Sequence, residues 1–404
     1  MPTIAEARKT ILSSVSTLGA ERVGLLESCG RVLAEEVRAQ WDMPQWDNSA
    51  MDGFAVRTAD CAPGVELPVA GYIPAGGTAE SPLLPGTAIR IMTGAPVPEG
   101  CDAVVPVEET SAAGGRVVLH ERVEEGQHIR RRGEDIACGE AVLHPGEVIH
   151  PAQVSLLASL GRTMVAVYRR PRVGIVSTGD ELLEPGEQPA PGKIVNSNSY
   201  ALAAAVREAG GEPVILGVAR DDLESHREKL SQGLGFDVLV TSAGVSAGDR
   251  DLVRDVLAEL GAEQVFWKVK MKPGGPTAFA LYRGKPVFCL PGNPVSTLVT
   301  FDMFVRPALL RMTGRRRVLQ APLTLVLAEP LSKKEGKEQL VRLKLQRQDG
   351  KLAGSSPGSQ QTAILKTMLL ADVLAVLPSE RTRVEAGEEV QGWLLREEAL
   401  MLEE

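Results

Sequence analysis

Residues Arg172–Thr178 read RVGIVST, a short apolar run, and the polar triplet Gly179-Asp180-Glu181 follows them directly. Short apolar runs bounded by polar loops are typical of strands that are buried on both faces. Helical patterns at residues 199–209 and 251–260 alternate with these runs, which predicts a parallel sheet covered by helices. The same pattern returns at residues 213–219 with loop 220–222, 237–242 with loop 243–251, and 286–290 with loop 291–296.

Each of these loops follows the carboxyl end of a predicted strand. Ligands of open parallel sheets bind beyond the carboxyl ends of the strands. We therefore expect glycine, serine, threonine and carboxylate side chains to meet at one rim of the sheet. This rim is the predicted binding site.

The composition is that of an ordinary globular protein and excludes some partners. Of the 404 residues, 44% are hydrophobic and 24% are charged, which fits a chain of two to four domains. The net charge of −8 disfavours non-specific binding to nucleic acid or to anionic membranes. No apolar run approaches the roughly 20 residues that a membrane helix needs.

The N-terminus and the cysteines predict a cytoplasmic protein. Residues 1–15, MPTIAEARKTILSSV, carry Glu6 early and lack a long apolar core, unlike a secretory signal. The five cysteines are scattered without a CxxC or CxxH pair, which fits reduced thiols and argues against a zinc site.

The regions around the α/β segment have other patterns. Residues 1–40 are predicted to be helical, with a second helix near residues 23–27, and Pro151 begins a helix that is expected to pack on them. Short Val and Ile runs separated by Gly and Pro at residues 65–137 favour a small barrel or sandwich. A terminal β domain is predicted from strands at residues 323–327, 340–345, 371–377 and 389–395.

Carboxylates are the first chemical group of the rim. Two of them about 4 Å apart repel by roughly 4 kcal/mol at an effective dielectric near 20, so a cluster favours a hard cation, most simply Mg²⁺. The alternative is that each acid caps the helix that follows its strand. The acids in question are Asp180, Glu181, Asp221, Asp222, Asp249 and Asp251.

Alternating lysines form the second group, in Trp267-Lys268-Val-Lys270-Met-Lys272-Pro-Gly274. On a strand this alternation places all three ammonium groups on one face. The face is either the wet side of an edge strand or a phosphate or oxyanion site. We favour the second interpretation because Lys272 leads into the loop Pro-Gly-Gly-Pro.

Two glycine-containing loops, Gly244-Val-Ser246-Ala-Gly248 and Pro291-Gly-Asn-Pro-Val-Ser296, offer backbone N–H groups to an anion. GxxxxGK[ST] and GxGxxG motifs are absent, which argues against a P-loop nucleotidase and a dinucleotide fold. Three consecutive arginines, Arg130 to Arg132, are either a solvated surface or an anion clamp. Together these features predict an anionic, phosphorylated small molecule held with a divalent cation.

In these motifs the chain resembles the molybdopterin molybdenumtransferase family of the MoeA type, which includes the E domain of gephyrin. The matching motifs occur in the family's order: Asp47-Asn-Ser-Ala-Met-Asp-Gly-Phe54, Arg90-Ile-Met-Thr-Gly-Ala-Pro96, Arg131-Arg-Gly-Glu-Asp135, Ser177-Thr-Gly-Asp-Glu-Leu182, Gly244-Val-Ser246, Lys272-Pro-Gly274 and Leu290-Pro-Gly-Asn-Pro-Val-Ser296.

The resemblance implies a four-domain chain and an elongated homodimer. The domains are a discontinuous helical domain (residues 1–46 and 138–170), a β domain (47–137), the molybdopterin-binding α/β domain (171–318) and a C-terminal β-barrel-like domain (319–404). The cleft is then expected between the α/β domain of one subunit and the β domain of the other.

The implied reaction joins molybdate to adenylylated molybdopterin and releases AMP, with Mg²⁺ as the cation. It also implies a contact with the molybdopterin adenylyltransferase. Catalytic roles are implied for Glu181, Asp251, Lys268 and Lys272, and cation binding for Glu181, Asp221 and Asp222. Substrate contacts are implied for Asp221, Ser246, Pro291, Pro294 and Ser296, and for Asp52, Thr93, Arg130 and Asp135 from the second subunit.

Three positions depart from the family pattern. Gly275 stands where the family usually has the second lysine of Lys-Pro-Gly-Lys-Pro, so one anion contact is missing or moved. Ala243 replaces a usual glycine, and Arg250 a frequent tyrosine. Acids flank Arg250 on both sides, so the acting residue is either Asp249 or Asp251. Two other functions stay open at this point, a non-catalytic scaffold of the same fold and a molybdopterin adenylyltransferase; the flanking domains argue against the second.

Overall fold

The computed structural model describes residues 1–244, 252–348 and 350–401. The chain divides into two compact units, and the four-domain division stays a prediction. The larger unit comprises Met1–Ala34, Gly146–His150 and Met164–Glu404, and the smaller one Glu35–Pro145 and Pro151–Thr163. Across the described residues, no helix has the length and apolar character that a membrane crossing requires.

A six-stranded sheet forms the centre of the larger unit, and its four predicted parallel strands are confirmed. The last two strands run antiparallel to their neighbours. Both faces are covered, because Ile175 and Val240 lie in one hydrophobic cluster while Val176 and Leu239 lie in another. In spatial order the strands are Glu212–Ala219, Arg172–Thr178, Val238–Ser242, Lys285–Leu290, Ala278–Tyr282 and Glu263–Phe266.

Helices cover this sheet. The helix bounds in the larger unit are Ile4–Ser14, Ser197–Glu208, Leu223–Gly233, Leu252–Glu259, Pro294–Thr300, Arg306–Met312 and Lys366–Leu370, with a π-helical turn at Phe301–Val305. The N-terminal helix begins with a capping box, in which Thr3 and Glu6 satisfy each other's backbone N–H groups. Its Ile4, Ala7 and Ile11 join the core cluster of the central sheet.

One expectation for the N-terminal region was wrong. Residues 23–27 do not form a second helix: a strand, Ala20–Gly24, pairs with Met164–Tyr168, and a 3-10 turn at Leu26–Ser28 follows. Pairing with a distant strand thus prevails over the local helical pattern. The helix that begins at Pro151 is confirmed as Pro151–Ser159. It belongs to the smaller unit and Ile4–Ser14 to the larger one, and the packing of this helix on the N-terminal region stays a prediction.

The smaller unit is built on a mixed six-stranded sheet. Its described strands follow an open order with apolar residues on both faces, and the small barrel or sandwich stays a prediction. Phe54 and Val56 belong to one cluster, and Ala55 between them to another. The strands in spatial order are Ala103–Pro106, Gly53–Val56, Ala88–Ile91, Glu66–Ile73, Arg116–Leu119 and Thr110–Ala113.

The C-terminal β domain is confirmed as a closed barrel. Five of its strands pair in a ring, because the first also pairs with the last. In ring order they are Glu338–Gln348, Lys351–Ser355, Leu323–Leu327, Glu389–Leu394 and Val373–Leu377. Short paired strands elsewhere are Val37–Arg38 with Ala141–Leu143, Asn48–Ser49 with Ile129–Arg130, Leu182–Leu183 with Ile194–Val195, and Leu331–Ser332 with Arg383–Val384.

Candidate functional site

The rim of the central sheet is held together by buried polar side chains. Ser177, near the end of its strand, bonds the Asn196 side chain at 3.0 Å and the Ser199 hydroxyl at 2.8 Å. Asn198 donates to the Ser242 hydroxyl at 2.8 Å and to the Gly292 carbonyl at 2.7 Å. The start of the first crossover helix therefore connects three of the strand ends.

Two of the predicted acids meet across neighbouring loops. The Asp180 N–H donates to Asp221 Oδ2 at 3.3 Å, and the Asp221 N–H donates to Asp180 Oδ1 at 3.3 Å. Both side chains are exposed. The loops after the first two strands thus place two carboxylates side by side, as the sheet order requires.

The other two described acids of the rim differ in their surroundings. Asp222 caps the helix Leu223–Gly233 and accepts from Ser225 N–H at 2.7 Å, so the capping interpretation applies to this residue. Glu181 is exposed and folds over Gly179, whose φ of 133° suits a residue without a side chain; a Cβ there would strike the Glu181 carboxylate. Within residues 1–244, 252–348 and 350–401, no three acid, His or Cys side chains are grouped closely enough to bind a metal ion.

Cationic side chains lie beside the paired acids. Lys193 donates to the Asp180 carbonyl at 2.7 Å, and Arg220 donates to the Leu182 carbonyl at 3.3 Å. The acid loop therefore carries positive charge at its edge, which suits an anion bound next to a cation.

Ser246, Asp249, Arg250 and Asp251 lie outside the described residues. Just before them, Ala243 adopts a φ of 74°, in the left-handed region that favours glycine. A Cβ on Gly292 would approach the Ala243 Cβ to 2.9 Å, so the loops after the third and fourth strands are in close contact. The departure from glycine at residue 243 thus places a strained side chain at the rim.

The loop after the fourth strand is tied to the C-terminal barrel. Thr297 donates to the Pro291 carbonyl at 2.6 Å and holds the turn that contains Pro294. Asn293 donates to the Thr362 hydroxyl at 3.0 Å. Pro291 is buried, Pro294 half-buried, and Ser296 only 5% exposed. Pro291 and Ser296 are therefore the buried members of the described residues to which the resemblance assigns substrate contacts.

The lysine segment differs in part from its prediction. Only Met271–Lys272 forms a strand, and it pairs with the barrel strand rather than with the central sheet. The predicted alternation is still present, because Lys268, Lys270 and Lys272 are exposed while the residues between them are buried. Within the described chain none of the three ammonium groups has a carboxylate partner.

In the smaller unit, Asp52 and Thr93 are in direct contact. The Asp52 carboxylate accepts from the Thr93 backbone N–H and from its hydroxyl, each at 2.7 Å. The N–H bond, the hydroxyl bond and the charge of Arg90 lower the pKa of Asp52. Asp52 is thus held as an anion.

The three consecutive arginines divide into paired and unpaired residues. Arg131 pairs with Asp47 at 2.7 Å, and Arg132 pairs with Asp42 at 2.6 Å. The Arg132 N–H, followed by the Arg131 guanidinium, lowers the pKa of Asp47. Arg130 has no ion pair or side-chain hydrogen bond among the described residues. Arg130 is therefore the arginine whose charge is available for a ligand.

Arg130 and Asp135 line one cavity of about 510 Å³ in the smaller unit. Asn48, which is 8% exposed, also lines it, and its Oδ1 atom is buried without a hydrogen-bond partner. A buried oxygen that lacks a donor is costly, so a donor supplied from the cavity would stabilise it. The cavity thus combines a free guanidinium, a carboxylate and an unsatisfied amide oxygen.

The sequence motifs do not single out the residues that organise the rim, chiefly Asn196, Asn198, Lys193 and Arg220. A signal was present, since Asn196-Ser-Asn-Ser199 is a typical N-terminal helix cap. No local pattern predicts the contacts of Lys193 and Arg220, because these side chains bond to backbone carbonyls that lie elsewhere in the sequence.

Comparisons with known proteins cover the chain in three segments. Residues 2–161 match the MoeA N-terminal region (domain I and II), residues 174–311 a probable molybdopterin binding domain, and residues 324–395 the MoeA C-terminal region (domain IV). Two solved structures of the molybdopterin biosynthesis MoeA protein from Pyrococcus horikoshii superpose with TM-scores of 0.84 and 0.78, at 31% and 30% identity. Both cover 98% of this chain, and 99% and 100% of theirs.

Curated relatives are similar over their whole length. Molybdopterin molybdenumtransferase 2 of Mycobacterium tuberculosis is 39% identical over 97% of this chain and 99% of its own. Molybdopterin molybdenumtransferase of Bacillus subtilis is 37% identical over 94% and 90%. With this full-length similarity, the chain belongs to the MoeA family of molybdopterin molybdenumtransferases.

Proposed function

We propose that the protein inserts molybdate into adenylylated molybdopterin and releases AMP, as a molybdopterin molybdenumtransferase. The observation that carries the proposal is full-length similarity to enzymes of that name, at 39% and 37% identity. The paired rim acids and the unpaired lysines supply charges of both signs, as a phosphoanhydride and an oxyanion require.

Charge neutralisation and alignment are the main needs of this reaction. The exposed Lys268 and Lys272 hold the anionic substrates, while the rim loops align the adenylyl phosphate. We assign no general base in this proposal.

Mg²⁺ is the cation that suits the donor set. Mg²⁺ commonly binds through one or two carboxylates together with waters and substrate phosphates, so a full protein cage is not required. Asp221 and Glu181 would hold it, because both carboxylates are exposed and Asp222 is engaged as a cap. Bound there, the ion would neutralise charge on the phosphates.

The residues of the smaller unit act, in this proposal, in a homodimer. Asp52, Thr93, Arg130 and Asp135 would enter the cleft from the second subunit, with Arg130 facing an anionic group of the substrate. The proposal also includes a contact with the molybdopterin adenylyltransferase, which would supply the adenylylated substrate, and a cytoplasmic location. Light scattering tests the dimer, and a monomer at micromolar concentration would contradict the shared cleft.

The decisive experiment measures AMP release from adenylylated molybdopterin by the purified protein, with and without molybdate and with and without Mg²⁺. Release that requires both additions is expected. Tight binding of the pterin without release under any condition would instead support a carrier or scaffold. Release without molybdate would separate hydrolysis from metal insertion.

A further inference from the structure

Gly275 leaves a space beside the lysine segment that another lysine enters. A Cβ at residue 275 would lie 3.8 Å from the Lys337 ammonium nitrogen. The backbone does not require glycine here, since the φ of Gly275 lies outside the left-handed region, unlike that of its neighbour Gly274 at 92°. The absence of a side chain at residue 275 therefore matters for space rather than for backbone conformation.

Strand pairing brings Lys337 to this place. Met271 and Lys272 pair in parallel with Glu338 and Gln339, and the Glu338 N–H donates to the Lys270 carbonyl at 3.3 Å. Continuing the register by one residue sets Lys337 beside Lys270. Residues that are adjacent across paired strands lie on the same face, so Lys337 extends the row of exposed lysines.

Lys337 is exposed, and its ammonium group has no carboxylate partner among the described residues. Two acids lie near this row. Glu6 is close enough to Lys270 for the lysine charge to contribute to its lowered pKa, after the larger effect of the Thr3 hydrogen bonds. Glu338 accepts from the Ile4 N–H at 3.4 Å. Four lysines against two nearby acids leave the row with an excess of positive charge, which an oxyanion would relieve.

We propose that Lys337, from the C-terminal barrel, binds the oxyanion substrate in place of the lysine that the motif lacks at Gly275. The proposal rests on the molybdenumtransferase function above. The proposal makes the barrel part of the binding site. The Lys337 ammonium group comes from the barrel but lies in the same row as Lys268 and Lys272. Molybdate is the ligand assigned to this row.

The test compares Lys337→Ala with wild type in two assays. One is the molybdate concentration dependence of AMP release, and the other is calorimetric titration of the protein with molybdate alone. Loss of one charge-assisted hydrogen bond predicts roughly a ten- to hundredfold rise in the molybdate KM and Kd, with kcat at saturating molybdate changed less. Lys337→Arg should retain most of the affinity.

Two further variants make the test specific. Lys334→Ala removes an exposed lysine from the same loop and should leave molybdate affinity unchanged. Adding Gly275→Lys to Lys337→Ala returns an ammonium group to this row. Partial recovery of the affinity is expected, because the new Cβ would lie 3.1 Å from the Met271 carbonyl oxygen. Unchanged thermal unfolding of Lys337→Ala would exclude a folding defect.

The outcomes separate this proposal from the proposed function. If wild type binds molybdate and Lys337→Ala binds it equally well, the role of Lys337 is overturned while the enzymatic function stands. If Lys334→Ala weakens binding as much, a general charge effect replaces the specific contact. If wild type releases no AMP under any condition, the enzymatic function fails, and the titration with molybdate still decides the role of Lys337.

Discussion

Asp180 and Asp221 exchange hydrogen bonds, each side chain accepting from the backbone N–H of the other at 3.3 Å. The two loops belong to adjacent parallel strands, so the exchange fixes their spacing without a disulfide or a metal. Each carboxylate has further lone pairs that these long bonds leave free. In the proposed mechanism, this exchange holds Asp221 in position for the cation.

Asp221→Asn should reduce Mg²⁺-dependent AMP release by roughly a hundredfold, because one anionic oxygen ligand is lost. The matched control is Asp222→Asn. Asn is as good an N-cap as Asp, so this variant should keep both stability and activity. Turnover assays over a Mg²⁺ titration check both variants. Equal losses would show that Asp222 serves the cation as well as the helix.

Glu181→Gln and Lys272→Ala should each abolish molybdate insertion with little effect on folding, since both side chains are exposed. Thermal unfolding checks the effect on folding, and AMP release checks the effect on molybdate insertion. Both are measured on the same preparations. Wild-type turnover by either variant would remove that residue from the mechanism.

The contact between Asp52 and Thr93 is expected to be sensitive to acid. Its folded-state pKa lies below the ordinary value, so its bonds to Thr93 add stability above about pH 4. That contribution is lost as the pH falls through the lowered pKa. Thr93→Val removes the hydroxyl bond but keeps the stronger effect of the backbone N–H, so the pKa of Asp52 should rise only part of the way to normal. A carboxyl NMR titration measures it, with Thr87→Val as the control.

Ala243→Gly should leave the protein as stable or make it more stable by up to about 1.6 kcal/mol. The left-handed φ of 74° costs an alanine roughly 1–2 kcal/mol, against roughly 0.4–1 kcal/mol of added unfolded-state entropy for glycine. Denaturant unfolding measures the difference. A clear loss of stability would mean that the Ala243 methyl contacts contribute more than the backbone conformation costs.

The cysteines should react in a fixed order with iodoacetamide. Burial raises the pKa of Cys61 and of Cys101 to about 11, so both stay protonated at neutral pH. Cys289 is buried, whereas Cys29 and Cys138 are exposed. Peptide mass spectrometry at pH 7.5 should find Cys29 and Cys138 alkylated first, and early labelling of Cys101 would contradict the buried environment.

The central sheet was predictable because its strands are buried on both faces and therefore appear as continuous apolar runs. The strand Ala20–Gly24 was not predictable, because its partner strand lies about 140 residues away in sequence and no local pattern encodes that pairing. From sequence alone, the adjacent Asp221 and Asp222 could not be given different roles. The helix that begins at Leu223 shows that Asp222 is its N-cap, which leaves Asp221 as the rim acid. The lysine alternation predicted the exposed face correctly but did not identify the barrel strand as the partner.

The pairing of Met271–Lys272 with the barrel has a consequence for how this protein can be shortened. A chain cut before residue 320 would keep every strand of the central sheet but leave the lysine segment with bare N–H and C=O groups. Thr362 would also be missing from the turn at Asn293. The C-terminal barrel therefore cannot be removed without exposing an unpaired strand. A truncated protein would carry this unpaired strand in its lysine segment and would tend to associate through the unpaired strand.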